Sequence, residues 1–185
     1  ATLLGMLPAG TELGFAGVVE SGAVLAVWKP KPATYDNTMV CHASKLMLPL
    51  KTLPSAEELD AKLAECTDRV MQERLLRQRR RIEPLRGQSH METRLHIWRL
   101  GSALLVVQPH EAYSRWQLEL RAAFADHAVV VGNMVNSSLS YIVPPELYSD
   151  KLYACWCSLL GQGAFDVLLS QSLSQARQIL KGHAS

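Results

Sequence analysis

Two short apolar runs, Ala103-Leu-Leu-Val-Val107 and Ala128-Val-Val-Val131, bracket an amphipathic segment from Ala112 to Ala125. Valine-rich runs of this length fit strands, while the segment between them repeats its apolar residues at helical spacing. Strand, helix and strand in that order predict a βαβ unit, whose helical crossover makes the two strands parallel. In an open α/β sheet, groups just beyond the carboxyl ends of neighbouring parallel strands converge on one crevice, where ligands bind. Gln108-Pro109-His110-Glu111 follows the first run, and the stretch from Asn136 to Tyr141 follows the second. Glu111 and Tyr141 are therefore expected to face one cleft, although they stand far apart in the chain.

The flanking segments extend this unit. From Arg94 to Leu100, Leu95 and Ile97 alternate with His96 and Trp98, which predicts a strand open on both faces. Gly101-Ser102 predicts a turn into Ala103, so a β-hairpin feeds the βαβ unit. Upstream, the apolar stretch Gly14 to Trp28 predicts one or two strands, and Met39 to Leu48 another. Lys29-Pro-Lys-Pro-Ala33 predicts a loop, because its prolines remove two backbone donors and fix φ. Ser55-Ala-Glu-Glu58 is a capping box behind Pro54 and predicts the start of the longest helix, about residues 55–82. Leu59, Leu63, Cys66 and Val70 follow helical spacing along it, and it stops before Pro84. Leu85 to Glu92 predicts a polar loop. A C-terminal helix is predicted over about residues 164–181, with Gly182 at a C-cap position. The expected fold class is α/β: a mixed sheet in which the hairpin feeds the βαβ unit, packed by these two helices, with residues 1–185 as a single unit.

Composition narrows the functional classes. A chain of 185 residues with 48% hydrophobic content buries one core. Nineteen basic against 17 acidic residues leave a net charge of +2, so no nucleic-acid partner is implied. The apolar stretch Gly14 to Trp28 is broken by Glu20 and falls short of the roughly 18 residues of a membrane span. The start carries no basic region of a signal peptide. It also lacks an initiator Met, and Ala1 to Leu7 reads as the tail of a helix already under way, so a C-terminal portion of a larger domain is expected. Cys41, Cys66, Cys155 and Cys157 match no zinc-binding spacing and are expected as small buried hydrophobes, which leaves the redox compartment open.

Three pieces of the chain carry a family resemblance. Pro109-His110-Glu111 follows an apolar strand; Asn136 runs into Tyr141-Ile142-Val143-Pro144 and then Tyr148; Gly161-Gln162-Gly163-Ala164 opens the last helix. In order and spacing these resemble the neutral/alkaline (non-lysosomal) ceramidase family, zinc amidases that cleave the N-acyl bond of ceramide. The resemblance runs from about Leu46 to Leu180 and is best between Leu95 and Tyr148. It implies that Glu111 and Tyr141 are metal ligands for zinc, completed by two histidines from an N-terminal half that is this chain's expected partner. It further implies a ceramide-like lipid substrate, self-association of the segment when isolated, and a secreted, periplasmic or membrane-surface setting. The histidine motifs and the family's serine near the metal have no counterpart in this chain, so the segment alone is not expected to be active. Departures concern the substrate more than the fold. His110 replaces a glycine, Ser137 and Ser140 replace the glycines of the Asn-to-Tyr loop, and Tyr153-Ala154 replaces a Tyr-Glu pair. The alternative is a non-catalytic α/β module that keeps the fold and binds a lipid or a protein.

Other conspicuous residues have plainer readings. Arg77-Gln-Arg-Arg-Arg81 ends a helix, where cations offset the macrodipole, and is expected as a solvated face. His110 is expected as a turn histidine in water, and His42 and His127 as structural histidines. Trp98, Trp116 and Trp156 are apolar bulk, either in the core or against lipid. Without the resemblance, Glu111 is a first-turn acid at a helix N-terminus and Tyr141 a loop aromatic.

Overall fold

A computed structural model describes residues 13–19, 22–28, 38–137, 140–149 and 151–182. The helix tail expected at Ala1 to Leu7 and the loop expected at Lys29 to Ala33 lie outside them. The chain divides into two units, Ala1–Tyr35 and Asp36–Ser185. In the first, β1 (Leu13–Val19) and β2 (Gly22–Trp28) pair antiparallel, Leu13 opposite Trp28 and Val19 opposite Gly22. The apolar stretch is thus two strands.

The second unit runs β3 (Met39–Pro49), α1 (Ala56–Glu65), α2 (Arg69–Ile82), β4 (His90–Leu100), β5 (Ala103–Val107), β6 (Glu111–Ala112), α3 (Ser114–Ala123), β7 (Ala128–Gly132), β8 (Tyr141–Ile142), α4 (Tyr153–Cys157) and α5 (Ala164–Lys181). Four strands form a mixed sheet in the order β3-β4-β5-β7. β5 and β7 are parallel with α3 as their crossover, and the other two pairings are antiparallel. The hairpin and the βαβ unit are therefore both present. Gly101, at φ 58°, makes the two-residue turn that pairs Leu100 with Ala103, a conformation costly for a residue with a Cβ.

β4 starts at His90, inside the segment expected as a loop, and pairs with β3 along its whole length. It is not open on both faces. Met91, Thr93, Leu95 and Ile97 are buried, while Glu92, Arg94, Trp98 and Leu100 are exposed. The cause lies in α5, which packs across β3 and β4 and covers one face. Leu46, Leu48, Leu95, Ile97, Leu104 and Val106 meet Trp116 and Leu120 of α3 and Phe165 and Leu168 of α5 in one core. Trp116 is core and not lipid-facing: its indole N–H donates to the Ser172 hydroxyl at 3.2 Å, satisfying the one polar atom its burial would otherwise strand. On the other face an apolar band stays exposed. Met39 lies opposite Leu100, Trp98 opposite Leu105, and Leu105 opposite Val130.

The single helix expected over residues 55–82 is two helices. The capping box at its start is formed, the Ser55 hydroxyl accepting from Glu58 N–H at 3.1 Å while Ser55 N–H donates to the Glu58 carboxylate at 3.0 Å. The break falls at Cys66 to Asp68. Asp68 is extended and its carboxylate accepts from Met71 N–H at 2.8 Å, so it acts as a second N-cap. An aspartate competes with the helix for backbone donors, which explains why an apolar rhythm can run through a point where the helix does not.

At the C-terminal end, Gly161 and Gly163 are needed for different reasons. A Cβ at Gly161 would lie 3.0 Å from the Leu50 carbonyl oxygen, where Leu50 and Leu160 form a β-bridge. Gly163 adopts φ 95° at the start of α5. Gly182 does end α5, but at φ −66°, not in the left-handed form. The cysteine expectation holds only for Cys155, which is buried; Cys41 is exposed, Cys66 and Cys157 are half-buried, and all four are free thiols. Among the described residues no helix is long and apolar enough to cross a membrane.

Candidate functional site

The chain leaving β5 is held by a buried amide. Gln108 accepts the His110 N–H at 2.7 Å and donates to the His110 carbonyl and to the Asn133 side chain at 2.9 and 2.7 Å. Asn133 in turn donates to the Ala112 carbonyl at 2.8 Å. These bonds tie the strand-to-helix turn to the loop leaving β7, in which Met134 and Asn136 take left-handed φ values of 56° and 62°. Glu111 and Ala112 then form β6, parallel to β8, with Glu111 N–H donating to the Ser140 carbonyl at 2.9 Å.

This pairing sets Glu111 directly opposite Tyr141. Residues opposed in a pair of strands present their side chains to the same side. The Tyr141 hydroxyl and the Glu111 carboxylate lie near enough to interact. The pKa of Tyr141 is pushed up from 10 by burial first, then by its interaction with Glu111. Tyr113 is shifted the same way by burial, by Cys155 and by Glu111. The two groups expected to converge do so, in a small two-stranded sheet at the surface of the unit, with Glu111 exposed and Tyr141 half-buried.

Tyr141 is fixed from behind by two serines. The buried Ser158 hydroxyl donates to the Tyr141 carbonyl at 2.8 Å and contacts the buried Ser140 hydroxyl at 2.9 Å. Ser140 accepts the Leu159 N–H at 2.8 Å, and Ser158 accepts the Leu160 N–H at 3.0 Å. Ser140 thus anchors β8 to the chain after α4. Further out, the Tyr153 ring meets Tyr141 edge-on at 6.2 Å, and Trp156 lies 6.3 Å from Tyr153.

His110 corrects the sequence reading. It is fully buried, not a turn histidine in water. Its Nε2 lies 3.0 Å from the Thr93 hydroxyl, its Nδ1 has no hydrogen-bond partner, and burial lowers its pKa to about 4. A turn after a proline looks solvated in sequence, and only the packing of β4 against it reveals otherwise. His127 is structural as expected, its Nδ1 2.9 Å from the Ser102 carbonyl, whereas His42 is exposed on β3. No role was assigned in sequence to Gln108, Asn133, Tyr113 or Ser158. A polar residue closing an apolar run, as Gln108 does, is the one signal that marked any of them.

Glu111 and Tyr141 offer a metal two oxygen donors. A structural or catalytic zinc takes at least three protein ligands, with histidine nitrogens commonest among them. Among the described residues no group of three or more His, Cys, Asp or Glu side chains is placed to hold a metal ion. Oxygen donors of this kind suit zinc, but two are fewer than such a site takes, so Glu111 and Tyr141 would need further ligands to hold one.

No protein-family profile matches the chain, and no curated protein matches it. Among solved structures it is similar to the neutral ceramidase from Pseudomonas aeruginosa, with 15% sequence identity and a TM-score of 0.46. The match covers 76% of this chain and 28% of that one, so the chain spans little more than a quarter of that protein.

Proposed function

We propose that this chain is the C-terminal segment of a zinc-dependent amidase resembling the neutral ceramidases, acting on the N-acyl bond of ceramide-like lipids. Glu111 and Tyr141 supply two metal ligands, and two histidines come from the remainder of the domain. The observation that supports this most is the pairing of Glu111 with Tyr141 through β6 and β8, which joins the two sequence motifs at one point. When bound, zinc would polarise the amide carbonyl and bring the pKa of a bound water to about 7.

The chain's own residues prepare that site. Glu111 is exposed and offers carboxylate oxygens. Burial and the neighbouring Glu111 raise the pKa of Tyr141, so a bound dication would have to draw off its proton for the phenol to serve as a ligand. Ser158 and Ser140 hold the backbone of Tyr141 in register, so the phenol oxygen is placed before any ion arrives.

The test uses the protein that carries this segment together with the histidine-bearing part of the domain. Glu111→Ala should lower zinc content and ceramide hydrolysis together, and Tyr141→Phe should do so more mildly, since the ring packing survives. Unchanged metal content and turnover in Glu111→Ala would refute the metal site. The second reading, a non-catalytic module binding a lipid or protein, would then lead; the exposed apolar band of Met39, Trp98, Leu100 and Val130 favours it.

A further inference from the structure

Between α1 and the chain that returns from α2 to β4 lies a cavity of about 450 Å³, to which neither Glu111 nor Tyr141 contributes. One wall is the chain from Leu50 to Ala56, turned into α1 behind Pro54 by the Ser55 capping box. The other is the end of α2 and residues 82–89, where a tight turn from Glu83 to Leu85 and Gly87 at φ 72° carry the chain back to β4. Both walls are held by backbone hydrogen bonds. Leu50 N–H donates to the Ser89 carbonyl at 2.9 Å and so joins the two, and Gln88 N–H donates to the Leu85 carbonyl at 3.0 Å. Leu59 and Ile82 are buried, and with the half-buried Leu50, Leu53 and Leu85 they form the apolar part of the lining. A space of this size and lining suits the body of a small organic molecule.

The charged part of the lining contains one cation that can exchange its partner. Arg86 is exposed, and its Nη2 donates to the Glu57 carboxylate at 3.0 Å, with the two side chains 64% and 71% accessible. An ion pair so open to water holds weakly. Glu57 therefore occupies the guanidinium with a carboxylate drawn from the chain itself, one that another carboxylate can replace. Arg79 is different. It grips Asp60 through two N–H groups, Nε at 2.7 Å and Nη2 at 3.0 Å, the forked geometry that makes such pairs strong. Lys51 donates to the Cys155 and Trp156 carbonyls at 3.0 and 2.9 Å, which ties it to α4. Glu83 also lines the cavity, and its negative charge disfavours a head group carrying more than one charge.

We propose that this cavity takes a small organic carboxylate with a compact apolar body. The body lies against Leu53, Leu59, Ile82 and Leu85, and the carboxylate takes the place of Glu57 on Arg86. The site does not depend on the metal reading.

Titration calorimetry of the chain with phenylbutyrate and with phenylbutanol, which share a body and differ in the head, tests it. Phenylbutyrate should bind saturably at one site and more tightly than the alcohol. Arg86→Gln should weaken the acid about tenfold and leave the alcohol unaffected, as loss of a charge-assisted bond implies. Glu57→Gln should do the reverse for the acid, tightening it up to about fivefold, because the competing carboxylate is gone. Leu53→Ala should weaken acid and alcohol alike, since it removes lining and no charge. Amide shifts on adding phenylbutyrate should concentrate in residues 50–59 and 82–89. Glu111→Ala should bind the acid as the wild type does, which separates this site from the metal site. Absence of saturable binding, equal affinity for acid and alcohol, or an Arg86→Gln variant that binds the acid unchanged would overturn the proposal. A Glu57→Gln variant that binds no more tightly than the wild type would overturn it too.

Discussion

Burial of His110 should make this protein less stable as the pH falls. In the unfolded chain its ring titrates near 6.5, whereas burial in the fold holds that value down to about 4. Below pH 6.5 the unfolded state therefore takes up a proton that the folded state refuses, and stability declines until the pH passes about 4. Above 6.5 both states are neutral and the residue has no effect on the pH dependence. At about 1.4 kcal/mol per pH unit, this window amounts to roughly 3 kcal/mol, against roughly 5–15 kcal/mol for a whole domain. The structural cause is specific: the ring is fully buried, its Nε2 is engaged with Thr93, and among the described residues no carboxylate compensates a charge on it. Urea unfolding of the wild type and of His110→Leu at pH 7 and pH 4.5 measures the effect. The variant leaves Thr93 without its partner, a pH-independent loss of roughly 1–3 kcal/mol. Between the two pH values the wild type should lose roughly 2–3 kcal/mol more than the variant. Carboxylates titrate in both proteins, so the difference isolates the histidine. Equal losses, or a His110 ring proton that titrates near 6.5 by NMR in the folded protein, would refute the argument.

Three further expectations follow from the packing. Leu95→Ala removes a fully buried side chain of β4 from the core and should cost roughly 2–5 kcal/mol in urea unfolding, while Arg94→Ala on the exposed face should stay within about 0.5 kcal/mol. Asp68→Ala removes the N-cap of α2 and should cost about 1 kcal/mol, with Asp68→Asn recovering most of it; equal midpoints for the two variants would contradict the capping role. Gly161→Ala sets a methyl against the Leu50 carbonyl and should cost roughly 1–3 kcal/mol, with faster hydrogen exchange at the Gly161 and Lys51 amides that join the two segments.

What could be read in the chain by itself was whatever depends on neighbours in sequence. The apolar runs at 103–107 and 128–131 with a helical segment between them determined the parallel pair, because a helical crossover leaves few other arrangements. The Ser55–Glu58 capping box and the Gly101-Ser102 turn were equally local, and both are formed. Glu111 and Tyr141 were legible as a pair because each follows one strand of the same unit.

Tertiary structure decided the rest, wherever a residue's state depends on what packs against it. Leu95 and Trp98 belong to one alternating strand, and it is α5 lying on a single face that makes one core and the other surface. His110 sits in a segment that reads as a turn, yet β4 closes over it and burial lowers its pKa. Asp68 lies within an apolar rhythm that continues across it, and its side chain nevertheless ends one helix and starts another. Arg74 and Arg77 carry no mark in sequence that separates them from Arg79. The difference is that Asp60 meets Arg79, while the aromatic side chains of α4 stand across a cavity from the other two. Side-chain burial and pairing are set by groups distant in the chain, and those distances close only when the sheet and its helices assemble.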